Sequence, residues 1–277
     1  LKKYQIEENK ILKPFVKWPK RQQTQEMIYE DYPISFNITR SKIYPDVEHI
    51  SNSMNFRSDE FKTHHDRKHI VFSGCSVTEG SGLNIEETWS YKLYEKISKK
   101  EQCSGYFNLG VSGSSITNEI ITLFKYFNTY GNPDVIFINF PDFYRFYAYS
   151  VEYDVVSDAA YDYNSEPLLK IMAYEYYFML EQYCKTNNIK LFSFTWMPKD
   201  LELDGYLLTG NGSDYPLEKF NTFYKINEQE IILWVDEYIK NNKNINNLEF
   251  ARDNEHYGIA YHEYWSDFIY KKYLENK

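Results

Sequence analysis

Two short stretches, some 175 residues apart, carry the residue types that acyl chemistry needs. The first is Gly74-Cys75-Ser76-Val77-Thr78-Glu79-Gly80, followed by Ser81-Gly82. It comes directly after an apolar run, His69-Ile70-Val71-Phe72-Ser73, that reads as a buried strand. Glycines there permit a tight strand-to-helix turn. Ser76 is then expected at the carboxyl edge of a sheet near a helix start, where backbone N–H groups favour developing negative charge. The second stretch is Ala251-Arg252-Asp253-Asn254-Glu255-His256-Tyr257-Gly258. A serine nucleophile needs a base within hydrogen-bond reach, and that base needs an orienting carboxylate. In one tight turn before a helix, Asp253 can reach Nδ1 of His256, leaving Nε2 for Ser76.

These stretches need a frame that brings them together, and the chain between them alternates regularly. Strand patterns fall at 69–73, 106–109, 134–139 and 190–196, and helix patterns at 86–99, 118–130, 167–186, 227–240 and 257–274. Strands alternating with helices imply a parallel sheet in a three-layer α/β/α sandwich, flavodoxin-like in form. Ligands bind such sheets at the carboxyl ends of the strands. The stretches 148–164 and 198–216, the latter with Gly205, Gly210 and Gly212, read as long loops at that edge. Residues 1–66 are polar and interrupted by Pro14, Pro19, Pro33 and Pro45, with a short helix expected at 22–29 and a structured turn at 53–59. They read as an N-terminal arm packed on a main domain spanning 67–277.

Three blocks now resemble the SGNH (GDSL) hydrolase family. The family's Gly-Asp-Ser-x-Thr-x-Gly is matched by Gly74 to Gly80, its Asn-x-(Gly/Ala)-x-x-Gly by Asn108-Leu109-Gly110-Val111-Ser112-Gly113, and its Asp-x-x-His by Asp253 to His256. The resemblance spans roughly residues 68–275. It implies Ser76 as nucleophile, His256 as general base, Asp253 as its orienter, and oxyanion donors from the backbone of Ser76 and Gly113. Two positions depart from the pattern. Cys75 replaces the family's Asp, and Pro141, in Asn139-Phe140-Pro141-Asp142, replaces the Asn whose side chain donates to the oxyanion. Asn139 lies two residues earlier on the same strand face, about 6–7 Å away along an extended chain. Asn118, Arg145 or a tyrosine such as Tyr144 is left to substitute. Together with Asn139 these are the candidate substrate contacts, and Tyr144, Tyr147, Tyr149 and Tyr153 are candidates to wall the site.

Composition bounds the partners. The 277 residues carry a net charge of −9, which argues against a nucleic-acid partner. Aromatic residues reach 19%, with 28 tyrosines, enough for a glycan-facing groove or an assembly contact. Cys75, Cys103 and Cys184 are too scattered for a disulfide framework or a metal pair. The cluster His64-His65-Asp66-Arg67-Lys68-His69 reads as a solvated surface, and His262 as structural. No cofactor and no metal are expected. No apolar run is long enough for a membrane helix and no signal core opens the chain, so a cytoplasmic location is the default, with a later extracellular or virion location open. The expected activity is a serine esterase acting on a small acyl ester, O-acetyl groups on carbohydrate among them. A weakly active or inactive binding module on the same fold, and an acyltransferase with the same triad, remain as alternatives.

Overall fold

In the computed structural model, residues 39–40, 47–63, 66–141, 145–150, 155–161, 166–196, 222–224 and 226–277 are described. Two short strands, β1 (Thr39–Arg40) and β2 (Glu48–His49), pair antiparallel. The main unit then runs β3 (Ile70–Gly74), α1 (Ser76–Glu79), a 3₁₀ turn (Ile85–Glu87), α2 (Trp89–Ser98), β4 (Phe107–Asn108), α3 (Ile116–Tyr130) and β5 (Val135–Phe140). After it come β6 (Arg145–Ser150), β7 (Val155–Tyr161), α4 (Glu166–Thr186), β8 (Lys190–Thr195), α5 (Glu228–Asn241) and α6 (Ile259–Glu275). The central sheet has the order β4-β3-β5-β8, parallel throughout. Residues 222–224 extend it beyond β8, with Tyr224 N–H donating to Ser193 C=O and Ser193 N–H to Thr222 C=O.

The sheet is buried on both faces because its strands are apolar on both. Along β5, Ile136, Ile138 and Phe140 join one core with α3 and α4 residues such as Leu123, Tyr177 and Leu180. Val135 and Phe137 join the other, with Leu93 and Ile97 of α2, Ile231 and Val235 of α5, and Trp265 and Ile269 of α6. Near-continuous apolar strands are what a parallel sheet covered by helices on both sides demands. The fold is therefore a three-layer α/β/α sandwich. Helices α3 and α5 begin on side-chain caps: Ser115 Oγ accepts the Asn118 N–H of α3, and Asn227 Oδ1 accepts from Gln229 and Glu230 at the start of α5.

One expected loop is not one. The stretch 148–164 contains most of an antiparallel ribbon, in which β6 pairs with β7 from Arg145↔Tyr161 to Ser150↔Val155. Its run of Tyr, Val and Ala residues alternates too irregularly to announce a strand, and pairing with a neighbour decides the outcome. His69 also departs from the solvated reading of its cluster: it is 2% exposed, and its Nε2 lies 2.8 Å from Tyr126 Oη. His64 and His65, the segment 1–38 with its expected helix, and the loop 198–216 lie outside the described residues.

The turn expected at 53–59 forms. Asn52 Oδ1 accepts from the N–H groups of Met54 and Phe56, and Asp59 pairs with the backbone of Tyr106 through both its N–H and its carboxylate. Phe56 is buried against Phe61 and the α3 core. At the amino end of the sheet, Glu101 receives Lys68, Lys277 at 3.0 Å and the hydroxyl of Tyr273 at 2.7 Å. Burial would raise its carboxyl, but these three donors push it down to about 2. They latch α6 to the residues that lead into β3, the strand before Ser76. The thiols are free, and burial pushes Cys184 up to about 12.

Gly74 leaves no room for a side chain at the end of β3. Its φ is 154°, and a Cβ there would lie 2.0 Å from Thr78 Oγ1 and 2.7 Å from the Asn139 carbonyl oxygen. Substitution Gly74→Ala is expected to lower stability by about 2 kcal/mol or more, read as a shifted urea midpoint.

Candidate active site

Ser76 opens α1, a helix of one turn that begins where β3 ends. So short a helix leaves most of its carbonyls without intrahelical partners. Buried groups take them. The Thr78 carbonyl accepts from Asn108 Nδ2 at 3.0 Å and from Ser90 Oγ at 3.4 Å. The Glu79 and Gly80 carbonyls accept from Nη1 of Arg57, a guanidinium only 1% exposed. Burial pulls that guanidinium below its ordinary value, while nearby carboxylates including Glu79 pull it back. Asn108 works both ways, since its Oδ1 also accepts the Gly110 N–H at 2.8 Å. The second block thereby packs against the helix that carries Ser76.

The Asp253–His256 pair comes from the turn before α6. His256 Nδ1 lies 2.7 Å from Asp253 Oδ2, while Asp253 Oδ1 accepts the backbone N–H groups of Glu255 and His256 at 3.0 Å each. Burial would raise the Asp253 carboxyl; the His256 ring and these N–H groups outweigh it and hold it below its ordinary value of 3.8. The Asp253 side chain is 9% exposed and that of His256 is 30% exposed, so the far edge of the imidazole stays open. Asn254 takes a positive φ of 57°, which closes the turn.

Several contacts set this turn against the residues that follow α1. Arg252 N–H donates to the Gly82 carbonyl at 3.1 Å, and its guanidinium grips Glu87 in a two-pronged pair at 2.6 and 3.0 Å. Glu87 in turn accepts the Asn84 N–H. Gly82, with φ 71°, has no room for a side chain: a Cβ would sit 2.9 Å from the Asp253 carboxyl carbon. The first N–H groups of α6 are met by the carbonyls of Asn247 and Leu248. His262, 1% exposed, accepts the Trp89 N–H through Nδ1 at 2.9 Å, joining α6 to the start of α2. Burial, with Lys92 and His256 nearby, pushes it down to about 3, so it is neutral and structural.

The backbone N–H groups of Ser76 and Gly113 share one property. Among the described residues, neither Ser76 nor Gly113 donates its backbone N–H to a protein acceptor. Gly113 has a φ of 78° and lies in a turn closed by Ser114 N–H to Val111 C=O at 3.1 Å. Ser76 Oγ is 4.0 Å from Cys75 Sγ, to which it donates, and no hydrogen bond among the described residues joins it to His256.

The remaining candidates scatter. Asn118 is buried on the first turn of α3, its N–H taken by Ser115 Oγ. Asn139 is fully buried beside Gly74 in the sheet register. Arg145 starts β6 and is half-buried, and Tyr144 lies outside the described residues. Pro141 is buried just beyond β5. Arg57, Glu79, Glu87 and Arg252 were not apparent as site residues in the sequence. Only Arg252 carried a signal, by adjoining Asp253. No group of His, Cys, Asp and Glu side chains suited to a metal ion occurs among the described residues.

No family model and no curated protein matches the chain. Solved structures to which the chain is similar include two. One is the psychrotrophic esterase EstA from Pseudoalteromonas sp., inhibited by monoethylphosphonate, at a TM-score of 0.41 and 15% identity, covering 74% of this chain and 98% of that one. The other is TesA, at a TM-score of 0.40 and 10% identity, covering 73% and 96%.

The carboxylate of Asp253 has a stability signature. An unfolded chain keeps its ordinary value, so the contribution of the folded pair is complete above pH 3.8 and fades as pH falls through the lower folded value. The stability gap between the protein and its Asp253→Asn variant is therefore expected to narrow below pH 4, as followed by urea unfolding across pH 3 to 7.

Proposed function

We propose that this protein is a serine ester hydrolase of the SGNH type acting on small acyl esters, with O-acetyl groups on carbohydrate as the leading substrate class. The observation that carries the reading is the Asp253–His256 pair at 2.7 Å, held against the turn that leaves the Ser76 helix. In this reading His256 Nε2 removes the Ser76 hydroxyl proton as Oγ attacks the ester carbonyl. Asp253 keeps the proton on Nδ1 and stabilises the imidazolium. The developing oxyanion is met by the N–H groups of Ser76 and Gly113. The imidazolium then protonates the leaving alcohol, and water, deprotonated by His256, releases the acid and restores Ser76. Hydrogen bonds of this kind are often long without substrate and tighten on binding, which accommodates the present rotamer of Ser76. With Pro141 in place of a side-chain donor, the hole rests on two N–H groups, and loss of one such donor costs about 10²–10³ in rate. Slow turnover follows.

A second reading is favoured by one observation, the Ser76 hydroxyl turned toward Cys75 rather than His256. It makes the chain a non-catalytic glycan-binding or structural module on the same fold. An acyltransferase using the same three residues would differ only in passing the acyl group to an added alcohol or sugar.

Kinetics with p-nitrophenyl acetate separate these readings. The protein is expected to hydrolyse it and to be labelled by a fluorophosphonate, with Ser76→Ala unlabelled and His256→Ala slowed by at least about 10³-fold. A wild-type rate equal to that of Ser76→Ala sinks the enzymatic reading.

A further inference from the structure

The two N–H groups assigned to the oxyanion hole belong to different elements, and something must hold one against the other. Ser76 starts α1, and Gly113 is the third residue of the turn 111–114. The positive φ of Gly113, with the Ser114-to-Val111 hydrogen bond, is the arrangement of a type II turn, whose third N–H points out of the turn and is free to bind a ligand. Rotating the Ser112–Gly113 peptide would present the Ser112 carbonyl in its place. Glycine tolerates both forms, so the turn does not fix its own choice.

Two side chains from the nucleophile's own segment reach this turn. Glu79 Oε2, three residues after Ser76 on α1, accepts the Ser112 N–H at 2.7 Å. Ser81 Oγ lies 2.8 Å from Ser112 Oγ. Residue 112 is thus held at its backbone and at its hydroxyl by groups rigidly tied to Ser76. The Glu79 backbone is itself fixed, since its N–H donates to Cys75 C=O and its carbonyl accepts from buried Arg57.

We propose that Glu79 is a positioning residue for the oxyanion hole, fixing the Ser112–Gly113 peptide against α1 so that the Gly113 N–H meets the same oxygen as the Ser76 N–H. The proposal rests on the hydrolase reading above. A carboxylate suits the task because an N–H to an ionised acceptor makes a short, strong bond. A site left with two donors has more to lose from a misplaced one, since a displacement of about 1 Å can cost on the order of 10²-fold.

The test is steady-state kinetics on p-nitrophenyl acetate for Glu79→Ala and Glu79→Gln, with thermal unfolding as the control for folding. Glu79→Ala is expected to lower kcat by about 10- to 100-fold with KM within about twofold, because an interaction made in the transition state is weakened. Glu79→Gln keeps an oxygen that can accept the Ser112 N–H and is expected to recover most of that loss. A Glu79→Ala variant with kcat within about twofold of wild type overturns the inference. So does a Glu79→Gln variant as slow as Glu79→Ala while unfolding at the wild-type temperature. If Glu79→Ala does not fold, Glu79→Gln alone decides, near-wild-type kcat supporting the clamp and an alanine-like loss refuting it. A wild-type rate no higher than that of Ser76→Ala overturns the hydrolase reading and this inference with it, whereas an active wild type with an indifferent Glu79→Ala overturns the inference alone.

Discussion

A helix of one turn cannot stand by itself, because fixing its dihedrals returns almost no internal hydrogen bonds. Here α1 exists because partners come to it: Asn108, Ser90 and Arg57 take its outward carbonyls, and Gly74 lets Thr78 lie against the strand. The rest of the structure can be followed outward from that demand. β4 lies beside β3 and delivers Asn108. Tyr106, buried with its phenol pushed up to about 12, shares Ser90 and Asn108 as hydrogen-bond partners. The segment before the sheet sends Arg57 into the interior. Burying a guanidinium is costly unless its donors are used, and here Nη1 meets the Glu79 and Gly80 carbonyls.

The second half of the site follows different physics. The turn 251–256 is local: its carboxylate, its imidazole and its own N–H groups close on one another within six residues. Such a turn would form much the same surface anywhere. Its position comes from elsewhere, from Arg252 on Glu87, from the close approach of Gly82, and from α6 packed on α2 through His262. The pairing of His256 with Asp253 is thus encoded locally, while its location is encoded some 165 residues away.

This division explains what the sequence made legible. Alternating apolar runs revealed the four sheet strands and the longer helices, because burial on both faces leaves a strong pattern. The Ser76 turn and the Asp253–His256 pair were legible because each is a local motif. The β6–β7 ribbon was not, since strand pairing rather than periodicity creates it. Arg57, Glu79 and Arg252 act through partners distant in the chain, and an isolated charged residue in sequence resembles any solvated one. The side of the sheet to which Asn139 turns, away from water, likewise emerged only once the register with Gly74 was set.

The latch around Glu101 has an implication for biosynthesis. It binds Lys68, at the threshold of β3, to Tyr273 and Lys277 on α6 and just past it. On the ribosome, Ser76 emerges roughly 180 residues before His256. The sheet and its earlier helices can assemble while the chain is still being made, and the Asp253–His256 turn and α6 join them afterwards. Loosening α6 therefore frees both the turn 251–256 that precedes it and the residues that lead into β3.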